Sequence, residues 1–128
     1  MSTNAAPLLH EIAALLDSLA RTGEGGTVQL NGLPLFPGDY EALQEALGEG
    51  ELSAELQALG PTQIRETALH GVWWVTHRNS MGEAVAESIE VTRCPVILQT
   101  PAEDVRESAL RLRESLQAAG KTGDRHGG

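Results

Sequence analysis

The sequence is poor in cysteine and has no long apolar run. Cys94 is the only cysteine among 128 residues, so one chain can build neither an intrachain disulfide nor a cysteine-rich zinc or iron–sulfur site. No apolar run approaches the ~20 residues that a membrane-spanning helix needs, and the first residues carry no basic segment typical of a signal peptide. We therefore expect a cytoplasmic protein that is not inserted into a membrane.

Basic residues are also scarce. Nine Lys and Arg stand against eighteen Asp and Glu, which leaves a net charge of −9. Such a chain repels a polyphosphate backbone, so nucleic acid is not an expected partner. The acidic surface could steer the protein toward a basic patch on another protein, or it could simply keep the protein in solution.

Three segments have the spacing of amphipathic helices. The first follows Pro7 and ends near Gly23, and the second runs from Pro37 to Gly48. The third begins after Thr100, whose hydroxyl is a suitable N-cap, and it is followed by a glycine-rich tail. The length and the 41% apolar composition suit a single domain. We place this domain at residues 1–119 and a flexible tail at residues 120–128.

Five segments alternate in the manner of β-strands: residues 27–30, 51–59, 62–69, 72–77 and 84–93. The second of these is rich in Ala, Leu and Glu, so a helix is an alternative there. The loop at residues 79–82 makes a hairpin of the last two strands. The predicted fold class is α+β, with an antiparallel meander sheet of four to five strands and about three helices packed on one face.

The candidate metal ligands are few. His70 and His77 flank the strongest strand seven residues apart, so on a regular strand they would face opposite sides. A structural or solvated role is the preferred interpretation, because metal ligands normally occur with further partners in recognisable spacing. The alternative is a site built from His70, His77 and Cys94, contributed by two chains of a dimer.

No set of residues forms a recognisable catalytic group. Cys94 follows a strand instead of opening a helix, and Arg93 is its only neighbouring cation, so a packed or idle thiol is preferred. Glu66 and Glu87 are no better an acid/base pair than any two surface glutamates, and no phosphate-binding loop is present. We predict neither catalysis nor a cofactor. A small hydrolase would require Cys94 and a histidine within hydrogen-bonding reach in a closed pocket.

Trp73 and Trp74 are half of the four aromatic residues, and as neighbours on one strand they project to opposite faces of the sheet. One ring can enter the core, whereas the other needs cover from this chain or from a partner. Arg65 and Glu66, also neighbours on one strand, likewise project to opposite faces of the sheet. We predict that the solvent-facing Trp, with Arg or Glu neighbours on adjacent strands, forms a docking surface. The alternative is a covered Trp beside a cross-strand salt bridge.

Five segments in fixed order point to a known family: residues 8–12, 33–35, 60–67, 71–75 and 89–95. Together they resemble the hydrogenase expression/formation proteins of the HupH/HyaF type, over nearly the whole chain. The Gly-Pro-Thr and Arg-Glu-Thr run followed by the paired Trp is the most specific part. Members of that family are often about twice as long, so the chain resembles the C-terminal family domain.

The resemblance implies an accessory role in the maturation of nickel–iron hydrogenase. The chain would act as a chaperone that binds the small, iron–sulfur subunit or another maturation protein, without catalytic residues and without a cofactor. The positions of interest for partner binding are Trp73, Trp74, Arg65, Glu66 and Arg93. The alternative is a protein that handles a metal or an iron–sulfur cluster through His and Cys ligands. A homodimer also stays open.

Overall fold

The computed structural model describes residues 4–57 and 60–125, with side chains described as far as residue 120. Its elements are α1 (Ala5–Thr22), β1 (Gly26–Gln29), α2 (Pro37–Leu47), β2 (Ser53–Leu56), β3 (Thr62–Glu66), β4 (Val72–Arg78), β5 (Ala84–Val91), a 3-10 turn (Val96–Leu98) and α3 (Ala102–Arg125). The predicted α+β class is confirmed. The chain divides after Pro95 into two compact units; the single domain at residues 1–119 stays a prediction.

The strands form one five-stranded antiparallel sheet in the order β1-β5-β4-β3-β2. From β2 to β5, each strand pairs with the next along the chain, which confirms the predicted meander. The remaining strand, β1, pairs with the other edge of β5, where Val28 lies opposite Ile89. The loop between β4 and β5 is closed by the Asn79 side chain, whose Oδ1 accepts the backbone N–H groups of Met81 and Glu83 at 2.9 and 3.0 Å.

Strand β2 shows that alternation outweighed intrinsic propensity. Ala, Leu and Glu favour helices, yet the segment pairs with β3 from Ser53 opposite Arg65 to Leu56 opposite Thr62. An edge strand needs only one partner and one apolar side, and the alternation supplies that side. Residues 58 and 59 of the predicted strand lie outside the described residues.

Helices α1 and α2 pack on one face of the sheet, as predicted. Leu8 and Ile12 of α1 and Leu43 and Leu47 of α2 join a buried cluster with side chains of the sheet, including Val28, Val72, Trp74, Ile89 and Val91. We call this side of the sheet the helix face. The opposite face of β3 and β4 is also buried at Ile64, Trp73 and Val75.

The second unit contains the 3-10 turn and α3. Val105, Leu112 and Leu116 share one side of α3 by their spacing, and they are 54%, 62% and 64% exposed. A helix considered by itself has nothing against which to bury such a stripe, and the packing of α3 on the sheet stays a prediction. The helix continues past Gly120, where the sequence predicts the tail to begin. Of the helices in the described ranges, none is long and apolar enough to cross a membrane.

Helix α2 begins without an ordinary polar N-cap, because its N-cap residue is Phe36. The carboxylate of Asp39, the third residue of the helix, accepts the Phe36 backbone N–H at 2.8 Å, which is the half of a capping box that the third residue supplies. The same oxygen, Oδ2, accepts the Asn4 side-chain amide at 3.1 Å, which links the starts of α1 and α2. Asp39 is only 3% exposed, so both bonds act in a setting where water cannot easily replace them.

We expect Asp39→Ala to lower the free energy of unfolding by about 1–3 kcal/mol, because two hydrogen bonds to one buried carboxylate are lost. Urea denaturation followed by circular dichroism measures the change. The control is Glu41→Ala in the same helix, an exposed position where a shift within about 0.5 kcal/mol is expected. Equal stabilities for the two variants would contradict the role given to Asp39.

The carboxylate of Glu87 on β5 lies near Tyr40 of α2. Glu87 of β5 accepts the Trp74 indole N–H at 2.8 Å through Oε2. Burial raises the pKa of Tyr40 above its usual range, and the negative charge of Glu87 raises this pKa further. Both causes favour the neutral phenol. The contribution of Tyr40 to the free energy of unfolding is therefore fully present below its unfolded-state pKa, and it is lost as the pH rises through the folded-state pKa.

Tyr40 is the only tyrosine, so phenolate absorbance reports on this residue alone. We expect its midpoint in the folded protein to lie above the ordinary value of about 10, and to move down in Glu87→Gln because that change removes the neighbouring charge. The downward shift should be partial, since burial is the larger cause. A midpoint that does not respond to Glu87→Gln would show that the charge of Glu87 does not act on Tyr40.

Candidate functional site

A groove of about 310 Å³ opens where α2 ends and the chain turns into β2. Residues from the end of α2, the connecting loop and three strands line it: Gln44, Gly48, Glu49, Gly50, Glu51, Leu52, Ser53, Arg65, Glu66, Thr67 and Trp74. All of them belong to the first unit. The groove therefore brings together residues that lie 30 positions apart in the sequence.

Two glycines allow the loop to lie close to the end of β3. Gly48 terminates α2 with a φ of 70°, in the left-handed region that favours glycine. Gly50 donates its N–H to the Glu66 carbonyl at 3.0 Å, and a Cβ at this position would collide with the Thr67 carbonyl oxygen. The wall of the groove is therefore held by backbone contacts and does not depend on long side chains.

The register of the sheet places three of the groove residues side by side on one face. Arg65 lies opposite Ser53 on β2 and opposite Trp74 on β4, so these three side chains share the helix face. Trp74 is only 3% exposed, whereas Arg65 is exposed. Within the described part of the chain, the Arg65 guanidinium forms no ion pair. It is thus available to donate hydrogen bonds to another molecule.

The rim of the groove is acidic and partly apolar. Glu49 and Glu51 are exposed, Leu52 is 57% exposed, and Arg65 is the single Lys or Arg of the lining. Between Arg21 and Arg65 the sequence contains seven Asp and Glu and no Lys, Arg or His. This combination suits recognition of a polypeptide, because an apolar side chain and charges of both signs lie close together.

The predicted partner-binding residues do not form one surface. Arg65, Glu66 and Trp74 line the groove, whereas Trp73 and Arg93 do not. Glu66 also lines the groove, but the register directs its side chain to the face of the sheet opposite the Arg65 side chain. There Glu66 Oε1 lies 3.8 Å from His70 Nδ1. The roles of these five residues in binding stay predictions.

The prediction that one tryptophan faces solvent is wrong. The rings do project to opposite faces, but Trp73 is 6% exposed and Trp74 is 3% exposed. The indole N–H of Trp73 donates to the Thr92 carbonyl at 3.1 Å. The prediction failed because it took the second face of the sheet to be open, whereas Ile64 and Val75 beside Trp73 are buried too.

The residues of the alternative metal site lie apart. His70 precedes β4 and its side chain is 94% exposed, whereas His77 is near the far end of β4, where Nδ1 lies 2.9 Å from Thr62 Oγ1. Cys94 follows β5, whose end pairs with the start of β4. Among the residues that the structure describes, no group of three or more His, Cys, Asp or Glu could hold a metal ion. A site shared by two chains stays a prediction.

Sequence reasoning did not identify the loop that forms the groove wall. The run Gly48-Glu49-Gly50-Glu51 alternates glycine with an acidic residue, and it follows directly on a predicted helix end. Glycine allows close backbone approach, and the intervening carboxylates must then point outward. The alternation of glycine with glutamate is thus the sequence feature that could have predicted an acidic loop held in place by backbone contacts.

Because both indole rings are buried, we expect Trp73→Ala and Trp74→Ala each to lower the free energy of unfolding by about 3–5 kcal/mol. Urea denaturation measures both. Trp74→Phe separates the ring from its hydrogen bond to Glu87 and should cost less than Trp74→Ala, since most of the buried volume remains. Either alanine variant with the stability of the unsubstituted protein would show that its ring is not part of the core.

The comparisons with known proteins agree with the resemblance predicted from the sequence, which is thereby confirmed. A family model described as "HupH hydrogenase expression protein, C-terminal conserved region" matches residues 2–119. Among solved structures, the hydrogenase expression protein HupH from Thiobacillus denitrificans ATCC 25259 is 45% identical, with a TM-score of 0.81. That match covers 93% of this chain and 98% of the other.

Two curated relatives have names of the same kind. The hydrogenase expression/formation protein HoxQ of Azotobacter vinelandii is 37% identical over 120 residues, and the hydrogenase expression/formation protein HupH of Rhizobium leguminosarum bv. viciae is 30% identical over 118 residues. Each match covers 90% of this chain but only 41% of the relative. The chain thus spans about two fifths of the length of these curated relatives.

Proposed function

This chain belongs to the family of HupH hydrogenase expression proteins, whose C-terminal conserved region it represents, and we propose that it serves the maturation of nickel–iron hydrogenase by binding another protein. The partner is the small, iron–sulfur subunit of the hydrogenase or another maturation protein. Family membership is the observation that carries this proposal, because the relatives are named for hydrogenase expression and formation.

The groove supports a binding role and offers a place for the contact. Its wall is held by the Gly50 and Glu66 backbones, so little conformational entropy is lost there when a partner binds. Arg65 offers several N–H donors, and Leu52 offers exposed apolar surface, 57% of its maximum. Arginine and well-placed apolar groups contribute a large share of binding energy in protein interfaces.

The proposal predicts which substitutions weaken capture of the partner. The tagged chain is used to capture proteins from an extract of a hydrogenase-producing cell, and hydrogenase subunits and maturation proteins are identified by mass spectrometry. We expect Arg65→Ala and Leu52→Ala each to reduce the captured amount roughly tenfold, because each removes about 1–2 kcal/mol of interface energy.

Two matched controls accompany these variants. Val85→Ala removes an apolar side chain with the same exposed fraction as Leu52, 57%, outside the groove lining. Arg21→Ala removes an exposed guanidinium from α1, where it pairs with the neighbouring Asp17. Both controls should capture as much as the unsubstituted chain. Capture of no hydrogenase subunit or maturation protein by the unsubstituted chain would refute the proposed function.

A further inference from the structure

The outer edge of β2 has backbone groups available for another strand. β2 ends the strand order, and its pairing with β3 begins with the Glu66 N–H bonded to the Leu52 carbonyl at 2.9 Å. Hydrogen-bonded pairs alternate along an antiparallel ladder, so Ala54 and Leu56 bond to β3 while the N–H and C=O of Ser53 and Glu55 point outward. An edge of this kind can accept an extended segment of another chain.

The surroundings of this edge are acidic on the groove side. The register places Ser53 and Glu55 on the helix face, since they lie opposite Arg65 and Gln63. Glu55 is exposed, and Glu49 and Glu51 of the groove rim precede it in the chain. Two guanidiniums lie on the same face, that of Arg65 and that of Arg78, whose Nε donates to Gln63 opposite Glu55 at 3.2 Å. Three carboxylates against two guanidiniums leave an excess of negative charge beside the edge.

The excess of negative charge favours one of two kinds of strand that could pair with the β2 edge. A second copy of the chain would bring the same acidic edge alongside, and like charges on adjacent strands repel. A segment that carries Lys or Arg would instead place positive charges beside Glu49, Glu51 and Glu55. The excess of negative charge thus opposes pairing between copies while favouring a basic partner.

We infer that the edge of β2 binds an extended basic segment of the partner protein, which adds to the sheet as a further strand. The backbone groups of Ser53 and Glu55 hold the segment, and the three carboxylates select its charge. The inference rests on the proposed function only for the identity of the protein that carries the segment.

The test uses the full chain and a short synthetic peptide in which Lys and Val alternate. We expect the peptide to bind, to protect the Ser53 and Glu55 amides from hydrogen exchange, and to dissociate as salt is added. A peptide with Glu in place of Lys should not bind. A Lys peptide with alternate backbone nitrogens methylated should bind at least tenfold more weakly, because it cannot complete the ladder.

The triple variant Glu49→Gln, Glu51→Gln, Glu55→Gln should bind the Lys peptide about tenfold more weakly, since three exposed charge pairs are removed. The matched control is Glu103→Gln, Glu107→Gln, Glu114→Gln, which changes the net charge equally at exposed positions of α3 and should leave binding unchanged. Equal affinities for the methylated and unmodified peptides, or equal losses in the two triple variants, would overturn the inference.

Two further outcomes are informative. Protection of the Ser53 and Glu55 amides that grows with the concentration of the chain alone would make a second copy the occupant, which also overturns the inference. The peptide contains no hydrogenase sequence, so its failure to bind together with successful capture of a hydrogenase protein defeats this inference alone. Peptide binding without any capture defeats the proposed function alone.

Discussion

Burial of β4 on both faces is the constraint on which the rest of the fold depends. Two neighbouring indole rings enter opposite sides of the sheet. The indole N–H of Trp74 donates to Glu87 on β5, and that of Trp73 donates to the carbonyl of Thr92, the residue directly after β5. An unpaired buried N–H would be costly, so these two bonds favour one register between β4 and β5. That register carries Val75, which is 2% exposed, into the second buried face.

On the helix face, α1 and α2 pack against β1, β4 and β5 but leave part of β2 and β3 exposed, and the groove lies there. The buried cluster joins α1 and α2 to β1, β4 and β5, whereas Ser53, Glu55 and Arg65 of β2 and β3 are exposed. Helix α2 ends at Gly48, and the following loop is bonded to Glu66 by backbone groups. The surface left beside it combines a rigid wall, one guanidinium and an acidic rim. Such a surface can select a polypeptide by charge and shape without taking part in bond chemistry.

The family relationship places this surface in the conserved C-terminal region of HupH hydrogenase expression proteins. The chain matches the region described as C-terminal and conserved, and it spans 41% of the curated relatives in Azotobacter vinelandii and Rhizobium leguminosarum. The Thiobacillus denitrificans structure has the same fold, with a TM-score of 0.81 over 93% of this chain. A fold alone does not specify a function, so the groove and the β2 edge are the features on which the proposed role in hydrogenase maturation depends.

Sequence patterns alone determined the local elements and the family. Alternation located all five strands, helical spacing located α1, α2 and the start of α3, and the run around Arg65 and the paired Trp carried the resemblance. These signals are local, because they depend on which side a residue faces within its own element. The depth at which Trp73 lies, the bond from Asn4 to Asp39, and the placement of Glu51 and Arg65 along one groove depend on contacts between distant segments. Only the tertiary structure decided them, since burial and charge proximity arise when separate elements pack together.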